Sequence, residues 1–116
     1  MLPPPQGNFI AGLEGIPSWD ERLSGLQRMF TESLLRVSPD FQRDLGYPRD
    51  QPGRANLKLF SKAIGQQFGC LSLTFEQPFK DCACNPDPVV GWSPERAANL
   101  GKAMVNTIFE LTPHLR

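Results

Sequence analysis

The sequence predicts an α/β fold, because one segment with the pattern of a β-strand lies among segments with the pattern of helices. In residues 70–75, Leu71, Leu73 and Phe75 alternate with smaller, mostly polar residues, which is the period-2 pattern of a half-buried strand. Other segments repeat apolar residues every three or four positions, as amphipathic helices do. Since a lone strand cannot bury two faces, we expect this strand to belong to a larger mixed sheet flanked by helices.

Two helices are predicted before this strand. The first covers about residues 19–37, with Ser18 and Glu21 as a capping box at its start. The second covers about residues 55–68, and Gly69 is suited to end it as the residue after the C-cap. One face of this second helix is apolar and consists of Leu57, Phe60, Ile64 and Phe68.

A third helix is predicted after the strand. Ser93 is suited to be its N-cap, and Pro94 fits the first helical position, where a missing N–H costs nothing. Pro113 ends the helix, so the single histidine, His114, falls in the solvated tail. The stripe on one face is expected to be core and consists of Ala97, Leu100, Met104, Ile108 and Leu111.

Two segments lack periodicity and are predicted to be loops. Residues 1–17 contain several glycines, and Pro3–Pro5 favours extended polyproline backbone. Residues 38–55 form a long polar connection, and connections of this length are often functional. The only tyrosine of the chain, Tyr47, lies in this second loop. It is either an ordinary turn tyrosine packed on the surface or a residue that contacts a ligand.

Glu76 follows the predicted strand directly and is a candidate catalytic residue. In open α/β sheets, ligands bind outside the carboxyl ends of the strands. A carboxylate at such a place, next to an apolar strand, can act as a general base. The alternative is that Glu76 is only the first solvated residue after the strand.

Composition and charge limit the classes of function. The chain has 116 residues and a formal net charge of zero, which gives no indication of nucleic-acid binding or of electrostatic attraction to a membrane. No apolar run approaches the roughly 20 residues that span a bilayer, and the N-terminal residues lack the pattern of a signal peptide. We therefore expect a cytoplasmic protein without nucleic-acid or membrane partners.

The cysteines do not predict a metal site or a disulfide framework. Their number, three, is odd, which argues against a set of paired structural disulfides. Cys82 and Cys84 are separated by one residue, whereas zinc-binding pairs usually have two to four residues between them. The two thiols are interpreted as incidental small residues, although binding by them stays open.

Three sequence blocks resemble the zinc metallocarboxypeptidases of the carboxypeptidase A-like superfamily, and their bacterial, cytosolic-carboxypeptidase-like branch in particular. The blocks are residues 8–17 (NFIAGLEGIP), residues 69–81 (GCLSLTFEQPFKD) and a third block made of residues 86–88 (PDP) and 91–96 (GWSPER). The resemblance covers about residues 8–111 and corresponds to the C-terminal part of such an enzyme. It implies that residues 1–116 are one partial catalytic domain, a truncated part of a carboxypeptidase-like mixed sheet flanked by helices.

The resemblance implies roles for two residues. Glu76 matches the glutamate that serves this family as general base and acid, and Tyr47 occupies the region of a tyrosine that closes over the substrate. The family's cofactor is zinc, but its His-x-x-Glu motif does not occur here, and the histidine expected upstream of Asn8 would fall at or before Met1. No metal ligand is therefore predicted in this chain.

Two functions from different classes follow as expectations. The first is a part of an enzyme that hydrolyses C-terminal residues from peptides, inactive by itself and completed by an N-terminal half that carries the zinc ligands. The second is a non-catalytic module that keeps this part of the fold and binds peptides or a partner protein. Self-association of the chain is a further expectation, because the helix stripes and the strand need more cover than one strand supplies.

Overall fold

The computed structural model of the protein describes residues 7–115, so the predicted polyproline segment Pro3–Pro5 lies outside the described residues. Within these residues the chain forms three α-helices and a small sheet. None of the helices in this range is long and apolar enough to cross a membrane. In chain order the elements are β1 (Phe9–Ala11), α1 (Glu21–Val37), α2 (Phe60–Phe68), β2 (Thr74–Glu76) and α3 (Pro94–Leu111), followed by one 3₁₀ turn (Thr112–His114).

The sheet has two antiparallel strands, in which Phe9 pairs with Glu76 and Ile10 with Phe75. This differs from the prediction in three ways. Strand β1 lies in a segment predicted to be loop, β2 is shorter than residues 70–75, and β2 includes Glu76, which is predicted to follow the strand. A strand of three residues is too short to show a period, and its pairing depends on a partner far along the chain. Leu71 lies before β2 and still packs against the core, as its alternation predicts.

Helix α1 begins at Glu21, and its N-cap is Asp20. The Asp20 carboxylate accepts a hydrogen bond from the Leu23 N–H at 2.9 Å, so the predicted capping box at Ser18 is wrong by two residues. The backbone N–H of Ser18 instead donates to the side chain of Gln66 in α2 at 2.8 Å. The backbone N–H of Ser18 is thus used in a tertiary hydrogen bond, and Asp20, an equally favoured residue type, caps the helix.

The predictions for the end of the second helix and for the start of the third are confirmed. Gly69 adopts the left-handed backbone with φ of 60°, and its N–H donates to the Gly65 carbonyl at 2.9 Å. The Ser93 hydroxyl accepts from the Arg96 N–H at 3.2 Å, and Pro94 is the first residue of α3. Helix α2 begins only at Phe60, five residues later than predicted, because residues 57–59 form a turn and a bend and residues 55–56 have no regular structure.

The main core lies between α1 and α3 and is closed by the sheet. Ala103 of α3 and Phe30 of α1 are buried in it, and the Phe41 ring stacks on Phe75 of β2 with centroids 6.0 Å apart. A smaller core forms where the loop after β1 meets α1, around Leu13, Ile16 and Leu23. From the predicted α3 stripe, Leu100 and Leu111 are buried, whereas Ile108 is 50% exposed.

The apolar face of α2 points away from both cores. Phe60 is 81% exposed and Phe68 is 65% exposed, whereas Ser61 and Lys62 are buried. Gly65 allows this orientation, because a Cβ there would lie 2.7 Å from the Leu13 side chain. The periodicity of α2 therefore identifies the helix but not the face that these residues bury.

We expect the isolated chain to self-associate or to be only marginally stable, because contiguous exposed apolar surface usually marks an interface. Replacing Phe60 by Gln removes apolar surface without touching either core, so it should shift sedimentation velocity profiles toward the monomer. Phe30→Gln, its buried counterpart, should unfold the chain instead. A monodisperse wild-type monomer with a cooperative thermal transition would contradict the expectation.

Candidate functional site

The two predicted site residues line one open cleft of about 1400 Å³. Its walls are the β1–β2 sheet, part of α1, the start of α2 and the loop of residues 41–50. Glu76 at the end of β2 and Tyr47 in the loop are both among the residues that line it. The tertiary structure therefore brings together two residues that are 29 positions apart in the sequence.

Glu76 is held by the sheet and keeps its carboxylate available. Its backbone pairs with Phe9 of β1 in the antiparallel ladder, and its side chain is half-buried. None of the ion pairs formed within residues 7–115 involves Glu76. A half-buried carboxylate on a strand, without a cationic partner, can accept a proton from a group in the cleft.

Tyr47 is positioned by the partner strand β1 through Phe9. The two rings meet edge to face, with their centroids 5.2 Å apart and an interplanar angle of 89°. The preceding Gly46 permits this approach, since a Cβ at that position would lie 3.0 Å from the Phe9 ring. Tyr47 remains 47% exposed. It therefore packs like an ordinary surface tyrosine and also faces the cleft, so packing does not distinguish its two interpretations.

Lys62 adds a buried cation to the cleft wall. It is only 8% exposed, and its ammonium group donates to the Gly12 carbonyl and lies 3.4 Å from the Asp50 carboxylate. Glu14, on the same wall, accepts from Gln27 at 2.7 Å. Neither Lys62 nor Glu14 has a local sequence pattern that sets it apart. The only feature of the sequence that could have indicated Lys62 is its place on the face of α2 opposite to the apolar stripe.

Arg96 fixes the loop that follows β2. Its guanidinium donates to both carboxylate oxygens of Asp40, at 2.6 and 3.4 Å, and to the Asp81 carboxylate at 3.1 Å. The group also donates to the carbonyls of Asn85 and Gly91, and it lies 5.1 Å from the centre of the Trp92 ring. This network joins α3, the segment before Phe41 and the loop after Glu76, and it supports the cleft from behind.

The pKa of Asp40 reflects this network. Burial by itself would raise the pKa, but hydrogen bonds from Arg96 and Asn85 and the positive charge of Arg96 outweigh burial and lower it below the ordinary value of 3.8. The Asp40 carboxylate therefore stays ionised at neutral pH, although its side chain is only 10% exposed. An arginine paired with a carboxylate 56 positions away leaves no local signal in the sequence.

The described residues do not form a metal centre by themselves. In the range 7–115, no three His, Cys, Asp or Glu side chains are grouped so that they could hold a metal ion. His114 is exposed at the end of the 3₁₀ turn, as predicted for a residue of the tail. The donor set of this part of the chain thus does not fit the zinc site that the resemblance implies.

Comparisons with known proteins test the resemblance. No protein-family model matches the chain. An uncharacterized protein of Zymomonas mobilis is 41% identical to it over 107 residues, which are 92% of this chain and 28% of that protein. In sequence the likeness therefore extends over nearly the whole chain.

Two solved structures show the same likeness in three dimensions. The metallo-carboxypeptidase of Pseudomonas aeruginosa, solved with (2-guanidinoethylmercapto)succinic acid, is 42% identical with a TM-score of 0.92, over 96% of this chain and 29% of that one. The metallo-carboxypeptidase of Burkholderia cenocepacia is 46% identical with a TM-score of 0.86, over 93% and 28%. The chain spans less than a third of the length of these relatives. In sequence and fold it is related to the metallo-carboxypeptidases over that shared segment, as its sequence predicts.

Proposed function

We propose that this chain forms one wall of the catalytic site of a metallo-carboxypeptidase that hydrolyses C-terminal residues from peptides. The observation that supports the proposal is the shared cleft of about 1400 Å³, which the strand-end Glu76 and Tyr47 both line. The likeness to solved metallo-carboxypeptidases at 42% and 46% identity supports it independently. In this proposal residues 1–116 are a C-terminal part of the domain, and its mixed sheet continues in polypeptide that these residues do not include.

Glu76 is the proton shuttle of the proposed reaction. Its carboxylate accepts a proton from the attacking water and then delivers that proton to the leaving amine. Pairing of its backbone with Phe9 fixes the position of Glu76 in the lining of the cleft. Tyr47 donates a hydrogen bond from its hydroxyl to the bound peptide, while its ring stays packed on Phe9.

The ligands of the metal in such a site have to lie outside residues 7–115. Zinc is the cofactor that the resemblance implies, and the side chains of residues 7–115 provide no group of three ligands for it. We therefore assign no metal ligand to this chain. The ligands belong to the part of the domain that the relatives have in addition.

The decisive experiment is a chimera in which this chain replaces the matching segment of the Pseudomonas aeruginosa metallo-carboxypeptidase. A TM-score of 0.92 over 96% of the chain makes the exchange geometrically feasible. We expect the chimera to bind (2-guanidinoethylmercapto)succinic acid in calorimetry and to release C-terminal residues from short peptides. A chimera that folds and binds that compound but hydrolyses no peptide that the parent enzyme cleaves would refute the catalytic role.

We expect the 116-residue chain alone to retain no stoichiometric zinc. Metal analysis after exhaustive dialysis is the measurement, and the parent Pseudomonas aeruginosa enzyme is the positive control. One equivalent of zinc that disappears with Glu76→Ala or His114→Ala would contradict this expectation. Zinc that disappears with Cys82→Ser and Cys84→Ser would show instead that the thiols bind metal.

A second candidate is a non-catalytic module that binds a peptide or a partner protein. The observation that favours it is an apolar groove of about 270 Å³ between α1, α3, the two strands and the residues just before β2. Its lining includes Leu71, Phe75, Met104 and Ile108. The chimera separates the two candidates. A binding module supplies no proton shuttle, so the chimera that carries Glu76→Gln would have the same residual turnover as the unsubstituted chimera.

A further inference from the structure

The loop after β2 brings two thiols into contact. Cys82 and Cys84 lie on a tight turn closed by the Asn85 N–H, which donates to the Cys82 carbonyl at 3.2 Å. Their sulfur atoms are 2.9 Å apart. Cys82 is completely buried, whereas Cys84 is exposed. The pair thus combines one accessible thiol with one protected thiol directly behind it.

Tertiary contacts hold both sulfur atoms in place. The Cys82 thiol donates to the carbonyl of Asp40 at 3.3 Å, and the Cys84 thiol donates to the carbonyl of Pro39 at 3.6 Å. The carboxylate of Asp40 is in turn bound by Arg96 and by the side-chain amide of Asn85. The separation of the sulfur atoms is therefore set by the folded structure in addition to their spacing in the chain.

We propose that Cys82 and Cys84 are a modification site that forms a reversible disulfide by exchange with a small-molecule disulfide such as oxidised glutathione. A disulfide bond is about 2.05 Å long, so the sulfur atoms have to approach by only about 0.9 Å from their observed distance. The inference is independent of the proposed peptide hydrolysis, because neither thiol lines the cleft.

The exchange takes place in two steps. The exposed Cys84 loses its proton and attacks one sulfur of oxidised glutathione, which forms a mixed disulfide and releases one glutathione thiolate. Cys82 then loses its proton and attacks the Cys84 sulfur, which releases the second glutathione thiolate. The two protons end on the released thiolates, so the protein pair is oxidised and the small disulfide is reduced to two thiols.

The surroundings of Cys84 make the first step slow at neutral pH. Partial burial of the sulfur, its contact with Cys82 and the negative charge of Asp40 raise the pKa of the Cys84 thiol to about 12. The thiolate is the reacting form, so the rate of exchange should rise roughly tenfold for each pH unit in the neutral and mildly alkaline range. The test is therefore run at mildly alkaline pH.

The experiment incubates the folded chain with glutathione redox buffers and quenches the exchange with acid. The remaining thiols of the denatured chain are then alkylated with N-ethylmaleimide near neutral pH, and the chain is digested with trypsin. Cleavage after Lys80 and Arg96 yields residues 81–96, which contain both thiols and exclude Cys70. We expect this peptide to lose the mass of two hydrogen atoms and to resist alkylation. Accumulation of a glutathione adduct on it, or a disulfide to Cys70, would overturn the proposal.

Variants separate this site from incidental oxidation. Cys82→Ser removes the second thiol, so its reaction should stop at a stable glutathione adduct on Cys84. Cys70→Ser should form the internal disulfide as the wild type does. Because the fold sets the sulfur distance, the equilibrium constant for the disulfide should fall roughly tenfold or more in urea. An unchanged constant in urea would show that sequence proximity alone pairs the thiols and would refute the site.

Discussion

Replacing Glu76 by Gln in the chimera should lower kcat for peptide hydrolysis by about 10²–10⁴-fold, which is roughly 3–5 kcal/mol of activation barrier. The glutamine side chain has the shape of the glutamate side chain, and the backbone of residue 76 can still pair with Phe9. The amide, however, cannot accept a proton from water. Binding of (2-guanidinoethylmercapto)succinic acid should change far less than kcat. Steady-state kinetics on a short peptide set and calorimetry with that compound measure the two effects separately.

The matched control for this substitution is Glu95→Gln, which removes the same charge from the exposed first turn of α3, away from the cleft. Its kcat should equal that of the unsubstituted chimera. If Glu76→Gln retained near-full kcat as well, Glu76 would be a solvated residue at a strand end and the proposed role would be wrong.

Tyr47→Phe provides a graded comparison in the same cleft. The ring contact with Phe9 is preserved, and only the hydroxyl is lost. One uncharged hydrogen bond to a substrate contributes about 0.5–1.5 kcal/mol, so the loss in kcat/KM should be roughly tenfold or less. A loss as large as that of Glu76→Gln would assign Tyr47 a part in proton transfer.

Replacing Arg96 by Ala should lower the free energy of unfolding by about 3–5 kcal/mol, because it leaves the carboxylate of Asp40 buried without its cation. The side chains of Arg96 and Asp40 are only 15% and 10% exposed, so water does not replace the lost partner. The carbonyls of Asn85 and Gly91 lose their donors in the same substitution. Urea denaturation of the wild type and the variant measures the difference.

Arg36→Ala is the matched control, since it breaks an ion pair with Glu110 that is exposed on both sides, at 64% and 45%. Exposed pairs contribute about 0–1 kcal/mol, so this variant should unfold close to the wild type. Equal effects of the two substitutions would show that the Arg96 network is not buried in solution.

The pH dependence of unfolding provides a second test of the same network. Because the pKa of Asp40 is lowered in the folded state, its contribution is present above the ordinary carboxyl pKa of 3.8 and is lost as the pH falls through the lower, folded pKa. In Arg96→Ala, protonation of the unpaired carboxylate relieves the penalty. The difference in stability between wild type and variant should therefore shrink on acidification, and a constant difference would contradict the assignment.

Local signals in the sequence determined several elements of the fold. The Ser93–Pro94 start of α3 and the Gly69 end of α2 depend only on backbone groups within one turn, so residue type is sufficient to predict them. The alternation around Leu71 identified residues that pack on the core, although the paired strand is limited to Thr74–Glu76. The resemblance to metallo-carboxypeptidases, which singled out Glu76 and Tyr47, was also present in the sequence.

Tertiary structure alone decided the rest, because the deciding contacts join residues far apart in the chain. Strand β1 exists only because Phe9–Ala11 finds β2 as a partner. Helix α2 turns its apolar face outward because Gly65 packs closely on Leu13, which no periodicity within the helix reveals. The shared cleft of Glu76 and Tyr47 is likewise a product of strand pairing, since side-chain positions across a sheet follow from register and not from the pattern of either segment alone.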